Sequence, residues 1–276
     1  MAIKTLLVHL TPEADSLNRL NIAANLTKSL DGHLVCLYVA HPVHLPSGIE
    51  GRGASLSYLA ESKKLAVKKQ DEMHQQVKDI CGQNDISFEW VFDHEDHLES
   101  LLAVVHHVDL TIVGRVQFNH LEDRLLHNFV EELIMKAGGP VLMLPANIES
   151  FSFDGVKNIL IAWNYSAQSI RAIRDYMEFV QKADKVLLVE GGIDKQSANL
   201  DAIDAYLARH GVSNIKILNH DMQGHAGDEI LEIADHHKVD AIIMGAYGHH
   251  GILDRLIGSA TRWVISHSDV PLLLSH

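Results

Sequence analysis

The sequence predicts an α/β protein of two tandem domains, each an open parallel sheet with helices on both faces. Three observations lead there. Short apolar runs alternate with segments whose apolar residues recur at helical spacing. The runs are apolar at successive positions, so both faces of each strand need covering, as in a parallel sheet between helix layers. The pattern also breaks near residue 145, restarts near residue 157 and repeats.

The elements follow in order. Leu6-Leu7-Val8 reads as a first strand. A helix follows over about 16–30, carrying Leu17, Leu20, Ala24 and Leu26 and stopped by Asp31-Gly32. His33 to Val39 is a second strand, and the Pro-, Gly- and Ser-rich stretch 41–57 reads as a loop. Ala66, Met73, Val77 and Ile80 mark one face of a longer helix, before a third strand at Phe88 to Phe92. Leu98, Leu101, Leu102 and Val105 form a helical face, and Leu110 to Val113 is a fourth strand ending at Gly114. A helix over about 122–136 leads through Gly138-Gly139-Pro140 to a fifth strand, Val141 to Leu144. Residues 145–154 read as a linker, giving domains at 1–146 and 155–276.

The second half repeats the first. Lys157 to Ala162 repeats Lys4 to His9, and Val186 to Val189 repeats the second strand. A helix over about 197–209, a strand at Ile215 to Leu218 and a helix carrying Ile230, Leu231 and Ala234 come next. Near the ends of the halves, Gly114 matches Gly245, Asp123-Arg124 matches Asp254-Arg255 and Pro140 matches Pro271. All share an offset of 131 residues, the mark of an internal duplication.

Composition narrows the function. A formal net charge of −13 argues against a nucleic-acid surface or an anionic membrane as partner. Apolar runs fall well short of the ~20 residues that span a bilayer, and the first residues lack the apolar core of a signal peptide. Two cysteines, Cys36 and Cys81, give no disulfide framework and fit a reducing cytoplasm.

The chemistry gathers at Gly245 to Thr261. An apolar strand, Ala241 to Met244, ends in Gly245, with further glycines at 248 and 258 and Ser259 directly after the last. Such glycines admit close approach of a ligand to the backbone. Gly258-Ser259-Ala260 opens a helix whose free N–H groups and dipole attract an anion, and Ser259 can cap it or donate to a phosphate. The spacing fits neither the Walker pattern nor the dinucleotide fingerprint; glycines alone also fit an ordinary strand end.

With the duplication, this pattern resembles the universal stress protein family in its tandem, two-domain form. The signature Gly-x-x-Gly, nine residues, Gly-Ser stands here as Gly245, Gly248, Gly258 and Ser259, with Ser166-x-x-Ser169, Asp240 and Val270-Pro271 in support. The resemblance implies a five-stranded parallel sheet in each half and ATP, with or without Mg, bound at the carboxyl ends of the strands in a stress-response regulator. It further implies that Gly245 and Gly248 lie along ribose and phosphates. Gly258, Ser259 and Ala260 would hold phosphates, Asn164 would face ribose or adenine, and Glu190 would lie beside adenine; Trp163, next to Asn164, reads first as a core residue and second as a platform for the base. The family's strand-end Asp is Asn164 here, which alters the hydrogen bonding offered. In the first half Gln117 replaces the second glycine, His127-Asn128 replaces Gly-Ser, and Thr11 stands at the Asp position. That half is therefore expected not to bind ATP in the family's manner. The final strands of the halves are expected to pair as an intramolecular pseudo-dimer, with further homodimerisation and a protein partner left open.

Other classes have sequence support. His94, His97, His120 and His127 could form a zinc site with nearby carboxylates, although no compact ligand motif is present and helix-end or loop roles explain them better. Paired histidines 106–107 and 236–237 suit helix C-termini. No Gly-x-Ser-x-Gly elbow points to a hydrolase. Slow ATP hydrolysis and a zinc- or small-ligand-binding interaction module are the alternatives to a nucleotide-binding regulator.

Overall fold

The computed structural model describes residues 3–40, 52–93, 97–115, 129–190, 200–218, 225–246 and 259–276, without the side chains of 52–60, 62 and 259. In chain order the strands are β1 (Thr5–Leu10), β2 (His33–Val39), β3 (Ser87–Asp93), β4 (Leu110–Gly114), β5 (Val141–Leu144), β6 (Asn158–Trp163), β7 (Lys185–Glu190), β8 (Ile215–Leu218), β9 (Ala241–Gly245) and β10 (Leu272–Ser275). The helices are α1 (Asp15–Ser29), α2 (Arg52–Asn84), α3 (His97–Val105), α4 (Phe129–Ala137), α5 (Ala167–Asp175), α6 (Met177–Lys182), α7 (Leu200–Arg209), α8 (Ala226–His236) and α9 (Ser259–His267).

These strands form one sheet in the order β3-β2-β1-β4-β5-β10-β9-β6-β7-β8. Pairing is parallel within each half. The halves join where β5 meets β10 antiparallel, with Leu272 opposite Met143, Leu273 opposite Leu142 and Leu274 opposite Val141. Leu142 and Leu273 are equivalent positions of the duplication, so an approximate two-fold axis passes through that pair. The expected edge-to-edge pairing is thus present, and it removes two open edges whose unpaired N–H and C=O groups invite association.

Alternation along the strands feeds two apolar layers. Leu6, Val8, Ala241 and Ile243 point into the layer beneath α1, α2, α5, α6 and α7, whereas Leu7, Ile242 and Met244 point into the layer beneath α3, α4, α8 and α9. Both layers run across the junction, since Leu142 and Leu273 belong to the first and Met143, Leu272 and Leu274 to the second. At the amino ends of the strands the duplication repeats a clasp. Asp109 Oδ2 accepts from the backbone N–H groups of Lys4 and Thr5 (2.8 and 2.8 Å). Asp240 Oδ2 accepts from those of Lys157 and Asn158 (2.8 and 2.7 Å). Asp240 lies at the strands' amino ends, away from their carboxyl edge, and its part is structural.

The sequence reading named no helix between the first two strands of the second half, where α5 and α6 stand, and two further elements differ from expectation. The helix of α2 reaches back to Arg52, into the stretch expected as loop. Extending an existing helix adds one hydrogen bond per residue fixed, which offsets the weak propensity of Gly53, Ser55 and Ser57. The segment expected as a plain linker is anchored: Phe153 is buried and stacks on Phe179 with ring centroids 3.5 Å apart. A short 3-10 turn, Phe153–Gly155, is capped by the Ser152 hydroxyl. The expected helix over 122–136 is described only from Phe129 onward. Cys36 and Cys81 are free and buried, and their shared hydrogen bond, with burial, pushes the Cys36 thiol well up.

Asp175 offers a pH test of this packing. Burial raises its carboxyl above the ordinary range, against the pull of the Ser275 hydroxyl (2.8 Å) and the nearby Arg171 guanidinium. An acid whose folded-state pKa is raised costs stability when ionised, and the cost disappears as pH falls through that pKa. Asp175→Asn is therefore expected to melt higher than the parent at neutral pH, with the gap closing on acidification. Parallel thermal melts across pH check it, and a gap that widens toward acid would contradict it.

Candidate functional site

Three adjacent strands, β7, β6 and β9, end at one edge of the second half. Brought together there are Trp163, paired in register with Glu190, and Gly245, one residue past the Ala162–Met244 pair. After β9 the chain returns as α9, whose first described residues are Ser259 and Ala260. Gly248 and Gly258 lie outside the described residues.

The turn from β6 into α5 is built by a capping box. Ser169 N–H donates to Ser166 Oγ (3.1 Å), while Ser166 N–H donates to Ser169 Oγ (3.2 Å). Asn164 Oδ1 accepts from Ser166 N–H (3.3 Å) and from Ser166 Oγ (2.6 Å). A backbone N–H can only donate, so the amide orientation is set, with Oδ1 on Ser166 and Nδ2 on the other branch of the amide. Tyr165 stands between them in the left-handed region, at φ 62°, with 58% of its surface exposed. A bulky residue held at positive φ is strained, and such strain gathers at functional turns.

Trp163 itself packs into the core layer with α5 and α6, its ring edge-on to Tyr165 at 5.9 Å. Its indole Nε1 is buried and has no hydrogen-bond partner among the described residues. Among the described residues the exposed aromatic at this edge is Tyr165, which sequence reasoning did not single out although it lies between two residues that it did. Glu190 closes β7 half-buried.

Gly245 is held tightly by the protein. A Cβ there would meet the backbone of Gln168 and Ser169, with Ser169 Cα at 2.7 Å, so this close approach is between strand end and helix α5. Its neighbour Ala246 donates to Ser275 O (2.9 Å), and the Ala246 carbonyl lies 2.9 Å from His276 Nδ1. On its far side, α9 meets α8, where a Cβ on Gly227 would lie 3.0 Å from the Ala260 carbonyl.

The equivalent edge of the first half is filled differently. Arg19 of α1 is buried, donating through Nε to the His9 carbonyl (2.7 Å), through Nη1 to Asp15 (2.8 Å) and through Nη2 to Ser16 Oγ (2.9 Å). Its guanidinium covers Gly114, where a Cβ would lie 2.9 Å from Arg19 Cζ. Thr11 is turned inward, its N–H donating to Ser16 Oγ (2.9 Å). Gln117, His127 and Asn128 lie outside the described residues.

Of the histidines weighed for zinc, His94, His120 and His127 are outside the described residues. His97 is buried at the start of α3, its Nδ1 2.9 Å from His9 Nε2. Among the described residues no group of three or more His, Cys, Asp or Glu side chains is arranged to hold a metal ion, and no helix is long and apolar enough to cross a membrane.

A family model described as the universal stress protein family matches residues 2–145 and 175–276. The chain belongs to the universal stress protein family. Two matched segments, one in each half, make it a tandem member of that family. The curated universal stress protein Slr1230 of Synechocystis is 27% identical over 149 residues, covering 52% of this chain and 49% of that protein. This stress protein thus aligns with about half the length of that relative.

Among solved structures, a universal stress protein from Archaeoglobus fulgidus superposes with a TM-score of 0.71 at 19% identity, over 98% of this chain and 95% of that one. A putative universal stress protein from Pseudomonas aeruginosa superposes with a TM-score of 0.58, also at 19% identity, over 99% and 93%. At such identities the likeness speaks for the fold alone.

Proposed function

We propose that this tandem universal stress protein is a stress-response regulator that binds one adenine nucleotide, ATP, at the carboxyl edge of β7, β6 and β9. Asn164, Glu190, Gly245, Gly248, Gly258, Ser259 and Ala260 form the site, with Trp163 packed in the core beneath it. The observation that carries this reading is that β9 ends at Gly245 and α9 begins at Ser259. The glycine signature therefore spans the connection from a strand end to a helix N-terminus, where unpaired N–H groups and the dipole favour phosphate oxygens. Crevices outside the carboxyl ends of parallel strands are where open α/β sheets take their ligands. Asn164, with its oxygen engaged by Ser166, offers its amide donors to sugar or base; an Asp would offer an acceptor.

The covering of Gly114 by Arg19 supports a single working site. The domains on this reading are 1–146 and 155–276, the first a partner to the second, and the protein acts in the cytoplasm. The two free, buried thiols accord with a reducing compartment.

Denaturing freshly purified protein and identifying what is released tests the reading. ATP near one per chain is the expected result. Neither ATP nor any other adenine nucleotide, followed by a flat ATP titration, overturns it, and ADP or AMP in its place would point to hydrolysis. Gly258→Asp sets a carboxylate immediately before α9 and is expected to weaken ATP binding by about a hundred-fold. Unchanged affinity in calorimetry would remove this residue from the site.

A further inference from the structure

We infer that the amino-terminal half positions the phosphate-binding helix of the other half, by clamping α9 near both of its ends; this rests on the nucleotide reading above. Near the start of α9, Arg262 makes a two-pronged pair with Glu131 of α4. Nε lies 2.8 Å from Oε1 and Nη2 3.0 Å from Oε2. The Glu131 side chain is only 3% exposed and that of Arg262 42%, so the carboxylate is set into the junction and the guanidinium closes over it from the surface. Beyond the other end of α9, Arg115, one residue past β4, donates through Nη1 to the carbonyls of Ser268 (2.8 Å) and Ser266 (3.4 Å).

Each contact has a defined effect on the helix. The last carbonyls of a helix lack intrahelical partners and carry the negative end of its dipole, so a guanidinium there satisfies both. The planar fork on Glu131 fixes α9 in translation and in rotation about its axis, which a single hydrogen bond would not. Arg115 is itself held by β5 through its own N–H, which donates to the Leu144 carbonyl (2.8 Å). The helix whose first turn would meet the phosphates is therefore registered against the first half's sheet as well as against α8. A site whose donors are held in place before binding loses less entropy when the ligand arrives. The half that does not bind thus sets the geometry of the half that does, with Glu131, Arg262 and Arg115 as positioning residues.

The test compares ligands that share a base but differ in phosphate. Adenosine, AMP and ATP are titrated into the full chain, into Arg262→Lys and into Arg115→Ala, at a temperature where melts show each fully folded. Arg262→Lys keeps the charge and loses the fork. ATP affinity is expected to fall about five-fold in each variant with adenosine unchanged, and Arg115→Lys is expected to recover part of the loss. If the parent binds ATP and both variants keep its ATP-to-adenosine ratio, the clamp has no part in binding and the inference fails. An equal loss for adenosine and ATP also overturns it, as general loosening. A parent that binds no nucleotide overturns the underlying reading instead.

Discussion

Gly245→Ala is expected to lower the unfolding free energy by about 3 kcal/mol, the upper end of what overpacking costs, and, on the proposed reading, to take nucleotide binding with it. The obstacle is helix backbone, with Ser169 Cα 2.7 Å from the added carbon, and no rotamer change relieves it. Because Ser169 belongs to the capping box that opens α5, the strand end and the helix start move apart together, carrying Asn164 and Tyr165 with them. Gly138→Ala is the control: its surroundings are open and only its φ of +71° resists substitution, so about 1 kcal/mol is expected there. Urea unfolding of the two variants decides between them. A Gly245 variant within ~0.5 kcal/mol of the parent, the range of a neutral surface change, would show that α5 retreats freely.

Arg19→Ala is expected to cost about 3 kcal/mol, since removing one member of a buried ionic network strands the others. The His9 carbonyl and Asp15 Oδ2 each lose a donor, and Ser16 Oγ loses one of two, keeping the Thr11 N–H. Asp15 suffers most, because its other oxygen is buried and has no partner among the described residues. Arg19→Lys should recover little, since one ammonium cannot reach three acceptors set around a fork. Thermal melts measure both, and a lysine variant as stable as the parent would mean that charge alone suffices. The alanine variant also uncovers Gly114. On the proposed reading it still gains no ATP site, because the first half lacks the Gly-Ser at its helix start.

How much of this was legible follows from where the information lies. Strands buried on both faces, such as Ala241 to Met244, announce themselves as unbroken apolar runs, and the constant offset between the halves gave the tandem architecture. Ser166-x-x-Ser169 stood in the sequence only as part of the family pattern, and that the two serines form the capping box of α5 came from the structure. The backward reach of α2 was not legible, because the residues at 52–57 have weak propensity and helix extension overrides it. At the site, the glycine at 245 was readable as a close approach, but sequence could not say that the approaching backbone belongs to α5. Arg19 carries no local signal either; its meaning comes from Gly114 lying beneath it. His97 read as a candidate ligand, yet it pairs with a histidine 88 residues away, a relation no spacing rule anticipates. Glu131, Arg262 and Arg115 escaped notice because each looks like an ordinary charge on a helix or loop until the halves are joined.

The β5–β10 junction also changes how the assembly responds to concentration. Two separate chains joined through this edge would part on dilution, whereas a tether holds the second half at an effective concentration of about millimolar or more, whatever the bulk value. Mass action then has no hold on the junction, and the asymmetry that it carries becomes permissible. In a pair of identical chains, any residue placed at position 131 would face its own copy across the axis. One chain that encodes both sides can set glutamate at 131 against arginine at 262, and, on the proposed reading, can close one ligand edge while leaving the other in use.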